Sequence, residues 1–221
     1  MDVLGLKRPA LIGHSIAGEE LSSIGSRYPD RVAGLIYLDA GYGYALYSPD
    51  PGDTRLDAQE LQRALNTFLS GAAAADQKTA VEQLMAVLLQ LRRDLETDKR
   101  QIDLMSPRFP LQSGSEPPFA AAASATIKGE QKYTNIDVPI LAIFASPHDP
   151  AHLPPMAAAK KAEFIALDQT KTAAQARAFE KLKHARVVIH PNADHYVFFS
   201  NERGVEKEVT DFLNTLKPDG K

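Results

Sequence analysis

A serine hydroxyl becomes a nucleophile only when a neighbouring base takes its proton and the backbone projects it clear of the chain. Ser15, in ALIGHSIAGEEL, has the local pattern for this. A short apolar run from Ala10 to Gly13 precedes it, small residues flank it at Gly13 and Ala17, and Leu21, Ile24 and Tyr28 then recur at helical spacing. The segment reads as strand, sharp turn and helix, a geometry that presents a hydroxyl at the C-terminal edge of a sheet. Ala17 stands where G-x-S-x-G has its second glycine, so the turn carries one extra methyl group, with Gly18 directly after it. The peptide N–H of Ile16, at the helix start, is expected to face a developing oxyanion. A serine ahead of a helix is also an ordinary N-cap, so the pentapeptide gains its weight from partners downstream.

Two such partners follow in the order nucleophile, acid, base. Asp149 lies in SPHDP, just beyond the apolar run VPILAIFAS, and His195 lies in PNADHYVFFSN, between the last apolar run and a closing amphipathic segment. His195 is expected to take the proton of Ser15 and return it to the leaving group, while the carboxylate holds the imidazole in one tautomer. An aspartate before proline is equally a turn former. Asp39, which ends the apolar run VAGLIYLDA, is the alternative acid. His14 is expected to pack or hydrogen-bond beside the turn. His148, His152, His184 and His190 show no helical ligand pair with a carboxylate partner, so no metal site is expected.

The elements that must hold these groups alternate. VAGLIYLDA, VPILAIFAS (138 to 146) and ARVVIHP (185 to 191) read as strands beside the one that ends at Gly13, and 156 to 182 reads as helix. Val205, Val209, Phe212, Leu213 and Leu216 share one face of a closing helix. Alternating strands and helices predict an α/β architecture with a parallel sheet. From 41 to 137 no strand pattern appears, while Leu61, Leu65 and Phe68, then Val81, Leu84, Leu88, Leu91 and Leu95, keep helical spacing. That segment is expected to be a helical cap inserted in a core made of 1–40 and 138–221, broken by a loop over Met105 to Pro118. The tetra-alanine at 72 to 75 is too short to count as low complexity.

Composition limits the partners. With 221 residues, 44% of them hydrophobic, the chain can bury a sizeable core, and a formal charge of -3 gives no basic face for nucleic acid. The absence of cysteine excludes thiol nucleophiles and thiolate metal sites in this chain. No apolar run approaches the roughly 20 residues of a membrane span, and cytoplasmic location is the default expectation. The expected partner is a small molecule.

Taken together, ALIGHSIAGEELSSIGSRYPDRVAGLIYLDA, PILAIFASPHDP and PNADHYVFF resemble the α/β-hydrolase superfamily, in particular its capped members with a GHS-type nucleophile elbow. The resemblance covers nearly the whole chain. It implies hydrolysis of an acyl substrate through an acyl-enzyme, without metal or organic cofactor, with Ser15, Asp149 and His195 as the matching triad. Members that open epoxides or haloalkanes carry aspartate at the nucleophile position, so Ser15 implies esters or related acyl compounds; a cofactor-free perhydrolase or C–C hydrolase shares the layout. In this fold four strands normally precede the elbow strand, one of them leading to the second oxyanion donor. The expectation is therefore a C-terminal two-thirds of the fold, whose elbow strand lies at an exposed sheet edge open to self-association. The rival expectation is a noncatalytic fragment.

Overall fold

The computed structural model describes residues 2–71, 76–105, 129, 131–153 and 155–216. Four strands, β1 (Ala10–His14), β2 (Gly34–Leu38), β3 (Ile140–Ala145) and β4 (Ala185–His190), form one parallel sheet in the order β1-β2-β3-β4. Six helices among the described residues accompany it: α1 (Ala17–Arg27), α2 (Thr54–Leu69), α3 (Gln77–Met105), α4 (Ala158–Glu180), α5 (Val197–Ser200) and α6 (Glu202–Thr215). The α/β fold and the parallel sheet expected from the alternation are both present. The loop expected after Met105 and the tetra-alanine lie outside the described residues.

The chain forms two compact units, one of residues 1–51 with 133–221 and one of 52–132. Residues 41–51, read from sequence as the start of the insertion, fall in the first unit. In the second, α2 is started by Asp53, whose carboxylate accepts from the N–H groups of Arg55 and Leu56. Within that unit Lys132 pairs with the buried Asp57 and with Glu60.

The first unit is built on the two-residue period of its central strands. Leu35 and Tyr37 of β2, with Ile140, Ala142 and Phe144 of β3, face one way and pack with Leu21 of α1 and Ala176, Ala178 and Phe179 of α4. Ile36, Leu38, Leu141, Ile143 and Ala145 face the other way, against Val197 of α5 and Val205 and Phe212 of α6. Both faces of β2 and β3 are thus covered, which is why their sequences read as unbroken apolar runs. β1 closes the sheet order on one side among the described residues, and its Ile12 is 53% exposed.

Parallel pairing brings all four C-terminal strand ends to one edge, so residues following His14, Leu38, Ala145 and His190 become neighbours despite wide sequence separation. The helix behind Ser15 is seated on this edge by a close approach. A Cβ on Gly18 would lie 2.0 Å from the Ala40 carbonyl oxygen, so only glycine lets α1 pass the end of β2. Ser22 donates to the Gly18 carbonyl at 2.9 Å, and the Tyr37 phenol donates to Ser22 Oγ at 3.0 Å. Gly18→Ala is accordingly expected to destabilise the protein by about 3 kcal/mol or more, read from the urea midpoint, because backbone rather than a movable side chain blocks the methyl.

Candidate active site

Ser15 sits between β1 and α1 with φ +55°, in the left-handed region that non-glycine residues rarely enter. Its carbonyl accepts from Gly18 N–H and that of Ile16 from Glu19 N–H, both at 3.0 Å, so the helix begins two residues after the strained position. Ile16 is the N-cap of α1, beside the first-turn N–H groups that have no acceptor within their own helix. The alanine at 17 fits because Gly13 leaves room: a Cβ at 13 would lie 3.1 Å from that of Ala17 and 2.9 Å from Leu21 Cδ1.

His195 is held from two sides. Its Nδ1 lies 2.7 Å from Asp39 Oδ2, and its carbonyl accepts from His14 Nε2 at 2.9 Å. The ring of His14, the residue before Ser15, packs against those of His195, Tyr196 and Phe198 at 4.5, 5.0 and 5.2 Å between centroids. His14 therefore packs and hydrogen-bonds beside the turn, as its position suggests. Among the described residues no hydrogen bond joins the Ser15 hydroxyl to His195; such bonds often tighten only when substrate is bound.

Asp39, one residue past β2, also has positive φ, +44°, and is 1% exposed. Its Oδ1 accepts from Ala145 N–H at 3.1 Å. Its Oδ2 accepts from Tyr42 Oη at 3.0 Å, His148 Nε2 at 2.8 Å and His195 Nδ1 at 2.7 Å. Burial works to raise the carboxyl pKa, but the bonds from His148, His195 and Ala145 prevail and bring it down to about 2. Asp39 is therefore an anion at neutral pH. Burial, with the neighbouring Asp39 charge, pushes the Tyr42 phenol up, so that hydroxyl stays neutral and donates.

His148 has a carboxylate on each ring nitrogen. Nε2 meets Asp39, while Nδ1 lies 3.0 and 3.1 Å from the two oxygens of Asp168, on α4, whose Oδ2 also accepts the His148 peptide N–H at 3.0 Å. Burial acts to lower its pKa, yet the two carboxylates raise it to about 10, so the ring is an imidazolium. Asp39, His148 and His195 offer potential ligand atoms within 4.8 Å of one another. The chemistry of the set does not fit a cation: an imidazolium has no free lone pair, and both rings direct protons at Asp39.

Asp149, the acid expected from chain order, is placed elsewhere. Its carboxylate accepts from Ala151 N–H at 2.9 Å and caps a short 3-10 turn over Pro150–His152, the local use that an aspartate before proline favours. The carboxylate on His195 Nδ1 is that of Asp39. Asp149 nevertheless joins the two loops through its backbone, donating to the Ala193 carbonyl at 2.9 Å, as Asn192 donates to that of Pro147 at 3.1 Å. Sequence reasoning weighed His148 only as a metal ligand and did not bring out Tyr42 or Asp168. For His148 the available signal was a histidine beyond a strand end; for Asp168, within a helix of charged and polar residues, there was none.

Comparison with known proteins places the chain in a family. Residues 2–208 match the sequence profile of the alpha/beta hydrolase family. Among solved structures, a probable hydrolytic enzyme from Pseudomonas aeruginosa is 16% identical, with TM-score 0.50 over 97% of this chain and 66% of its own. An esterase from Thermogutta terrifontis is 19% identical, with TM-score 0.46 over 96% and 67% respectively. E-2-(acetamidomethylene)succinate hydrolase is 21% identical, with TM-score 0.45 over 97% and 69%. The chain thus spans about two-thirds of the length of these proteins. No curated protein sequence matches it. With the profile extending from the first turn into α6 and the sheet carrying Ser15, Asp39 and His195 at one edge, the chain belongs to the alpha/beta hydrolase family.

Proposed function

We propose that this chain is a serine hydrolase of esters or related acyl compounds, acting through an acyl-enzyme, with Ser15 as nucleophile, His195 as general base and acid, and Asp39 as the orienting carboxylate. The family supports a hydrolytic role. The 2.7 Å contact between His195 Nδ1 and the buried, ionised Asp39 is the observation that carries the finer reading. A hydrogen bond at Nδ1 fixes the tautomer that leaves Nε2 able to accept a proton, and the fixed negative charge favours the imidazolium that results.

In the first half-reaction Ser15 Oγ attacks the acyl carbon as its proton passes to His195 Nε2. The carbonyl electrons collect on oxygen, where the Ile16 N–H and the N-terminal dipole of α1 offer stabilisation. Collapse of this intermediate breaks the bond to the leaving group, which receives the proton from Nε2, and leaves the acyl group on Ser15. Water then repeats the sequence, with His195 taking its proton, and frees the acid and the serine. The positive φ at Ser15 has a use here, because a strained turn lifts the hydroxyl off the sheet edge.

Turnover of p-nitrophenyl esters tests the assignment. Ser15→Ala is expected to lower kcat by about 10⁴-fold or more, and unchanged turnover would remove the nucleophile. The choice of acid is tested separately. Asp39→Asn is expected to cost about 10⁴-fold in kcat, while Asp149→Asn, whose amide oxygen can still accept from Ala151, changes it by less than about tenfold. The reverse ranking would return the acid role to Asp149.

A further inference from the structure

We infer that His148 is a positioning residue of this site: clamped between Asp39 and Asp168, it holds the Asp39 carboxylate and sets how readily His195 takes up a proton. The catalytic consequence rests on the serine-hydrolase reading above; the effect on His195 does not.

The geometry gives His148 both tasks. Its Nε2 shares one oxygen, Asp39 Oδ2, with His195 Nδ1, so the two rings are tied to the same atom, with centroids 6.3 Å apart. Through Nδ1 and its peptide N–H it is fastened to Asp168, which fixes the loop after β3 to α4. Asp39 is thereby held against rotation by a group that is itself immobilised. The charged groups facing His148 are Asp39 from the end of β2 and Asp168 from α4; the nearby His195 ring can become a third, and the Tyr42 phenol on Asp39 stays neutral.

The electrostatic sign follows from the charges. With His148 protonated, the Asp39, His148 and Asp168 group carries one net negative charge, and the His148 ring is a cation 6.3 Å from that of His195 between centroids. That cation opposes a second positive charge on His195, against the pull of the two carboxylates. Removing His148 while keeping Asp168 leaves two negative charges and makes His195 easier to protonate. Removing both His148 and Asp168 charges restores a single negative charge. A residue that merely packed would show no such reversal.

Ring NMR titration of His148 and His195, run beside the pH profile of ester turnover, tests the inference in the full chain. In the unaltered protein His148 is expected to keep both ring protons at neutral pH and to titrate near 10. In His148→Gln the His195 ring should take up its proton about one pH unit higher, moving the acid limb of kcat/KM with it. In the double variant His148→Gln with Asp168→Asn most of that shift should be reversed. The inference is overturned if His148 titrates as an ordinary imidazole, or if the His195 titration is unmoved in folded His148→Gln. Should the variants fail to fold, the inference is still overturned by a His148 that titrates as an ordinary imidazole in the unaltered protein. Loss of the NMR effects while turnover still depends on Ser15 would refute only this inference. Turnover independent of Ser15, with the NMR effects intact, would refute only the catalytic reading.

Discussion

A carboxylate that is 1% exposed and ionised is the constraint on which the site depends. Burying such a charge costs several kcal/mol unless its lone pairs are filled and a countercharge is near. Asp39 meets that demand with four donors drawn from four places: the backbone of β3, the loop after β2, the loop after β3 and the loop after β4. Each donor must be held at the right distance from one point, so the buried charge keeps the strand ends in register. The same bonds orient His195, so the hold on the strand ends and the placement of that ring rest on the same atoms.

The sheet makes the convergence cheap. Parallel strands present their C-terminal ends together, and two apolar layers cover the central pair so that the edge is set by packing rather than by the loops themselves. Glycine at position 18 lets α1 approach the Ala40 carbonyl, which keeps Ser15 beside the end of the strand that carries Asp39. His14 completes the frame by bonding the main chain of His195 from the nucleophile side. Of two consecutive residues, His14 thus braces His195, and Ser15 is the proposed source of its proton.

Much of this was legible in the residues. Strand runs, helical spacing and the serine turn are local patterns, and they led to the observed α/β sheet and to the placement of Ser15 and His195 at strand ends. The choice between two aspartates was not local. Asp149 satisfies the expected chain order, but the proline after it favours a turn that its own carboxylate caps. Asp39 is selected by the pairing of β2 with β3, which aims its oxygens at Ala145 N–H and brings it under a loop 156 residues further on. The contact between His148 and Asp168 depends on how α4 lies on the sheet, and no periodicity in that helix singles out residue 168.

In the proposed mechanism, the buried charge of Asp39 makes His195 the base that activates Ser15. The rate at which a fluorophosphonate modifies the protein, followed by intact mass and located by peptide mapping, measures that activation without reference to any natural substrate. A single adduct on Ser15, formed rapidly in the unaltered chain and in Asp149→Asn but slowed by orders of magnitude in Asp39→Asn, is the predicted result. Labelling of Asp39→Asn at the unaltered rate, or an adduct on a different residue, would contradict it.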